Sequence, residues 1–338
     1  MILITSADQY VGHCIASHLA SRRCLRPRLR LACRDKNLCL GFLNKDIDVR
    51  QIDYYHPHDL SKAFRGVDHV ILAVGNEHDR VAIAENVCKV ADRSGVKSIV
   101  CVSQVGATAT EYPHLQHFAS IEDYVVNTRN CDWVILRPDW LYQQFHMWSR
   151  SIETDRKMTL PLVNKDEICP LDVTDLCSAI ENLLLVPSKK QIRCMLQDAH
   201  VGQVYTLTGP EPVNGQQLVD CLSRGTGYTK FIYQPVRSMD TAYYLQGLIK
   251  DIWFDARVKQ EHQRMYNDPL DDSDDYSTRV FNAPSDIQIQ TWIEYFDWVH
   301  ATGGSVCVPH MKMLLKHQSG TTIQDFFNKH RNSFKPRV

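Results

Sequence analysis

The sequence predicts an α/β protein built on a doubly wound parallel sheet, and three observations carry that expectation. Residues 1–33 read as strand, tight turn, helix and strand, which is a βαβ unit. Short apolar runs then alternate with helical patterns as far as Pro138, at the pitch of a parallel sheet. His69-Val70-Ile71-Leu72-Ala73-Val74-Gly75 is almost wholly apolar, as a parallel strand covered on both faces should be.

Ile2-Leu3-Ile4 forms the first strand and Thr5-Ser6-Ala7-Asp8-Gln9-Tyr10 the turn that follows. Val11, Ile15 and Leu19 then fall at helical spacing through Ser21, and Leu29–Cys33 is the second strand. The helix N-terminus after the turn is a ready anion site. A dinucleotide-binding turn normally carries three glycines, for the bend, for backbone approach to the pyrophosphate and for helix–strand packing. Here Ser6 and Gln9 stand at the first two positions and only the packing glycine, Gly12, remains. With Cβ atoms at both places, the turn must avoid left-handed dihedrals or bear strain. An ordinary α/β start with no ligand is the plain alternative.

After the second strand come Arg34-Asp35-Lys36. Groups there face the adenosine ribose, where an acid favours NAD and an arginine accommodates the 2′-phosphate of NADP. Arg34 and Lys36 together point to NADP(H); a solvated charged loop is the competing reading. Asp48–Asp53 is the third strand, Pro57–Phe64 a helix, and Gly66-Val67-Asp68 the turn into the fourth strand. The helix Val81–Ser94 ends at Gly95, a C-cap glycine. Lys97–Ser103 and Asp132–Pro138 are the fifth and sixth strands, with a helix over Leu115–Thr128 between them.

The totals narrow the class. At 338 residues and 44% hydrophobic content the chain can bury one large domain, or a large one with a smaller lobe. Net charge of −1 gives no electrostatic case for nucleic acid or membrane, and no run reaches the ~20 apolar residues of a span. Twelve scattered cysteines without a C-x-x-C pair, behind an opening that carries no basic leader, read as reduced thiols. The expectation is a soluble cytoplasmic protein, with a nuclear pool as the alternative. No metal site is expected: the acidic run within Asn267–Ser277 lacks the order of a calcium loop.

Several pieces in sequence now match a known pattern: Ile4-Thr5-Ser6-Ala7 through Tyr10-Val11-Gly12, Cys33-Arg34-Asp35, Gly66-Val67-Asp68, Val102–Ala107, His117–Tyr124 and Val134–Pro138. Pro170–Leu176, Tyr205–Glu211 and Ile323–Phe334 continue it. In order and spacing the chain resembles the NmrA-like family of atypical short-chain dehydrogenase/reductases over nearly its whole length. The resemblance implies a Rossmann-type domain over 1–150 with a return segment near 166–187, and a smaller split C-terminal lobe over 188–338 for substrate or partner. Residues near 250–285 are longer than the family's usual connection and read as an insertion, with an amphipathic helix over Asp251–Tyr266. Carried onto this chain, dinucleotide contacts come from Thr5, Ser6, Ala7, Gln9, Tyr10, Val11 and Gly12, from Arg34 and Lys36, from Asp53 near the adenine, and from Ala73, Val74, Gly75 and Ser103.

Carbonyl reduction by such enzymes uses a tyrosine whose pKa is lowered by a lysine one helical turn later. None of the fourteen tyrosines has Lys at i+4, and Phe118 stands where members that keep the lysine would carry it. His117 next door is the candidate general acid and Ser103 the remaining strand-end hydroxyl; a backbone-bonded histidine and a strand cap are the plain readings. Tyr112, Tyr142 and His114 are further candidates for the cleft, and Cys14 lies where a helix dipole would acidify an exposed thiol. Two functions follow. The first is an NADP(H)-binding redox sensor that regulates a protein partner and does little chemistry, which the missing Tyr/Lys pair favours. The second is an NAD(P)H-dependent oxidoreductase acting on a quinone, enone or aldehyde. Loss of nucleotide binding altogether is a third.

Overall fold

The computed structural model describes residues 1–163, 165–186, 191–251, 283–304 and 306–337. Strands β1 (Ile2–Ile4), β2 (Leu29–Cys33), β3 (Asp48–Gln51), β4 (His69–Leu72), β5 (Ser98–Val102), β6 (Asp132–Pro138), β7 (Lys157–Leu160), β8 (Leu185–Val186), β9 (Gln191–Ile192), β10 (Gln203–Leu207) and β11 (Ile232–Pro235) follow in chain order. Seven of them form one sheet in the order β10-β6-β5-β4-β1-β2-β3. Every pairing within it is parallel. The doubly wound parallel sheet expected from the sequence is therefore present.

The sheet is parallel because helices cross over between strands. These are α1 (Tyr10–Ser21), α2 (Leu40–Leu43), α3 (Pro57–Ala63), α4 (Arg80–Arg93) and α5 (Pro113–Val126). Gly95, just past α4, takes φ 74°, the left-handed exit expected of it. β1 and β4 are neighbours although two strands intervene in sequence, so the chain reverses its direction of winding there. A ligand crevice in such a sheet lies outside the strand ends at that reversal. Thr5 ties the point together: its Oγ1 donates to Ile71 O at 3.3 Å and accepts from Ala73 N at 2.9 Å.

The strand β10 is a departure, since the sequence reads Tyr205–Glu211 only as a turn. Its first two residues are exposed at the sheet edge, so they carry no hydrophobic alternation. Gly209 closes the segment against Pro170, where an added Cβ would stand 1.9 Å from the Pro170 carbonyl oxygen.

Beyond β6 the chain builds a second core. α6 (Ser149–Asp155), α8 (Gly215–Thr226), α9 (Ser238–Leu248), α10 (Asp286–Thr302) and α12 (Ile323–Lys329) enclose it with the parallel pair β7–β11. Trp148, Tyr295, Phe296, Phe326 and Phe327 are buried there. α7 (Val173–Leu184) and α11 (His310–Leu314) instead return to the sheet and join its core, α7 packing on α1. The helix expected over Asp251–Tyr266 and the acidic run after it lie outside the described residues.

Candidate active site

Helix α1 begins at the sheet's reversal. Its N-cap Gln9 makes no side-chain cap and no acid stands in the first turn. The N-terminus of a helix in this position suits a pyrophosphate. Gly12 is packed to the limit, since a Cβ there would lie 2.3 Å from Ser6 O and 2.8 Å from Thr5 O. Of the two replaced glycines, Gln9 avoids the left-handed region at φ −102°, while Ser6 stays in it at φ 47°. Ser6 is held there by two bonds, Ser6 N to Tyr54 Oη at 2.8 Å and Ser6 Oγ to Glu77 Oε1 at 2.5 Å. Glu77 also accepts Gly75 N and Asn76 N, and burial raises its pKa.

The end of β2 is crowded with acids. Asp8 Oδ2 accepts both Arg34 N and Asp35 N at 2.9 Å. The Arg34 guanidinium pairs with Asp79 at 2.5 Å and lies 5.8 Å from the Tyr54 ring centroid. Lys36 opens a short 3-10 turn, and Asp53 caps the turn after β3 by accepting Tyr55 N. The residues present thus fit the body of a dinucleotide at the α1 terminus, and at the end of β2 Arg34 is paired with Asp79 while Asp8 takes the Arg34 and Asp35 amides.

Beside the turn lies a cleft. Gln9, Tyr10, Val11, Ala73, Val74, Gly75 and Ser103, all expected to line the ligand, are on its wall, so the structure brings the turn and the ends of β4 and β5 together. Trp140, Trp292, Phe118 and Leu141 make much of the remainder apolar. Polar groups reach it in fixed states. The Ser103 hydroxyl donates to Glu122, which is itself paired with Arg137 at 2.5 Å. Its proton is committed, so Ser103 is an acceptor towards the cleft. Asp139 accepts from Tyr295 Oη, Trp140 N and Cys169 N. Tyr10 is buried, which pushes its phenol well above the usual range, opposite to what a proton-donating tyrosine needs.

Arg80, the first residue of α4, is the group that the sequence reading missed. It is wholly buried and lines the cleft, with its guanidinium 4.5 Å from the Phe118 ring centroid. It donates to Gly75 O at 2.8 Å, His114 O at 2.5 Å and Thr291 Oγ1 at 3.1 Å. Burial lowers its pKa to about 10, so it remains a cation at neutral pH. A cation therefore stands on the Phe118 ring. The available signal was an arginine just after an apolar strand, at the mouth of a helix that the sequence pattern starts only at Val81.

His117 lies behind Arg80, whose Nε donates to His117 Nδ1 at 3.3 Å. Burial lowers the His117 pKa first, with the Arg80 and His114 charges adding to it. His117, His114, Tyr112 and Tyr142 are not among the residues lining the cleft. His114 is instead tied to Glu294, and Tyr142 Oη donates to Thr321 O. Cys14 is buried rather than presented at the α1 terminus.

A switched parallel sheet, an open helix terminus at the switch and an aromatic cleft beside it define a dinucleotide-binding protein. The chain belongs to the NAD(P)H-binding family, whose pattern it matches over residues 7–179. It is 22% identical over 175 residues to the NAD(P)H azoreductase of Xenophilus azovorans, a match spanning 52% of this chain and 57% of that protein. Against the (4-alkanoyl-5-oxo-2,5-dihydrofuran-3-yl)methyl phosphate reductase of Streptomyces griseus subsp. griseus it is 25% identical over 235 residues, 67% of this chain and 74% of the relative. In three dimensions it resembles the Escherichia coli NADPH-dependent quinone oxidoreductase in complex with NADPH, with TM-score 0.71, 18% identity and coverage of 98% and 99%. The triphenylmethane reductase of Citrobacter sp. with NADP(H) is similar, with TM-score 0.70, 17% identity and coverage of 98% and 100%. At these identities the structural likeness establishes the fold. Among the described residues no helix is long and apolar enough to cross a membrane, and no cluster is suited to a metal ion.

Proposed function

We propose that the protein is an NAD(P)H-dependent reductase of planar, conjugated acceptors such as quinones. The single observation behind this is the cleft itself, an aromatic-walled space beside the dinucleotide turn with one buried guanidinium on its wall. NAD(P)H, when bound, supplies a hydride. The chain's part is to bind, to exclude water and to stabilise charge. Trp140, Trp292 and Phe118 line the cleft with apolar surface suited to a flat ring. Arg80 puts a fixed positive charge where an acceptor turns anionic, and charge stabilisation of that kind is often the largest catalytic term. Arginine does not give up its proton, and the Ser103 proton is held by Glu122. The products best served are therefore those stable as anions, which a phenolate is and a simple alkoxide is not.

The reductases among its relatives support this reading, as do the quinone and dye reductases among its structural neighbours. The finer NmrA-like resemblance rests on the order of the motifs in the chain. The redox-sensor reading, first on sequence grounds, stands second; the committed Ser103 proton favours it, because it leaves the cleft without a ready acid. The preference for NADP(H) expected from Arg34 and Lys36 has the NADPH- and NADP(H)-bound neighbours on its side and Asp8 and Asp79 against it.

The test is the rate of reduced-dinucleotide oxidation with a panel of acceptors. General-acid help is worth roughly 10²–10⁴-fold, so aldehydes and ketones should turn over that much more slowly than benzoquinones and naphthoquinones. Tight dinucleotide binding with no acceptor reduced would instead support the sensor.

A further inference from the structure

We propose that Asp8 selects the dinucleotide, and that it selects NAD(H). The inference rests on the reading of the turn as a dinucleotide site and concerns which form that site takes. Asp8 belongs to the turn after β1, yet its carboxylate sits at the end of β2, accepting Arg34 N and Asp35 N through one oxygen at 2.9 Å each. In a doubly wound sheet that strand end faces the adenosine ribose. The two amides are the anion-binding groups that a 2′-phosphate would need there, and a carboxylate of the protein already holds them. A 2′-hydroxyl is a donor and can bond to the same carboxylate, whereas a phosphate dianion would meet like charge at contact distance.

The cation that should offset this is occupied. Arg34 is locked to Asp79 at 2.5 Å, and Asp35 adds a further acid beside Lys36. Asp8 is largely enclosed, and burial is the main influence on its carboxyl, raising its pKa, while the Asp35 and Arg34 amides oppose that rise. The two amide hydrogen bonds are what favour its ionised form. The usual sequence rule inspects only the end of β2 and finds Arg34. The competing acid comes from 26 residues earlier and reaches the place only through the fold.

The experiment is a titration of the purified full chain with NADH and with NADPH, in wild type and in Asp8→Asn. Asparagine keeps an oxygen for the two amides and removes the charge. Wild type should bind NADH at least as tightly as NADPH. Asp8→Asn should tighten NADPH at least tenfold and change NADH less than threefold. Asp8→Ser, a smaller cap for the same amides, should shift the ratio in the same direction and covers the case of a poorly folding Asn variant. Wild-type binding of NADPH tenfold tighter than NADH would overturn the proposal and leave the dinucleotide site standing. An equal effect of Asp8→Asn on both nucleotides would also overturn it. Binding of neither nucleotide by wild type or variants would remove the dinucleotide reading itself, and this proposal with it.

Discussion

Gly12 and Arg80 show how single residues set the limits of the site. The Gly12 position has backbone on the far side of its missing Cβ, with Ser6 O at 2.3 Å, and backbone cannot swing aside as a side chain can. Gly12→Ala should therefore push α1 off the β1 turn, costing about 3 kcal/mol in denaturant unfolding and abolishing dinucleotide binding. A wild-type midpoint for that variant would mean the helix slides freely. Arg80→Met keeps the buried stem and removes the cation. We expect kcat for a quinone to fall roughly 10²-fold with the dinucleotide Kd unchanged, and Arg80→Lys to recover part of the loss. A purely structural Arg80 would instead weaken binding and turnover together. Gly12 was legible in the sequence because its role is local and its spacing is set by the turn. Arg80 was not: its function depends on burial against Phe118 and Thr291, which are 38 and 211 residues away in the chain.

At the scale of elements, helix termini carry much of the joinery. Glu294 of α10 accepts His114 N and Leu115 N and so caps α5 from the second core, one reason that core sits beside the cleft. The start of α7 is less comfortable. Asp175, in its first turn, is raised to about 6 by burial, with Asp172 adding to the rise and the Thr321 bonds opposing it. A carboxyl raised on folding favours the protonated fold, so it lowers stability as pH rises through about 4 to 6 and its full cost is present above that range. Asp175→Asn should keep an acceptor for Thr321 N, stabilise the protein at pH 7 by about 1–3 kcal/mol and flatten the acid side of the stability profile. An unchanged profile would show that Asp175 is solvated in solution. Six strands and four crossover helices were readable because parallel strands are apolar runs and the helices keep their period. β10 was missed because an edge strand with an exposed start has no such pattern.

At the scale of the molecule, the sheet supplies a dinucleotide platform, while the second core supplies Trp292 and Thr291 to line the cleft, Thr291 also accepting from Arg80, and Glu294 to cap α5. The NAD(P)H-binding class was legible from ordered motifs, none decisive alone. The chemistry was not, because the groups lining the cleft come from opposite ends of the chain and meet only in the folded protein. Reduction of a flat acceptor in that cleft is tested most directly by a single-turnover experiment. Protein saturated with its preferred reduced dinucleotide is mixed with a naphthoquinone, and the loss of reduced-nicotinamide absorbance is followed. The expected decay saturates with quinone concentration, consumes one dinucleotide per chain and slows roughly 10²-fold in Arg80→Met. A decay no faster than that of free dinucleotide, in protein shown by titration to be fully loaded, would contradict it.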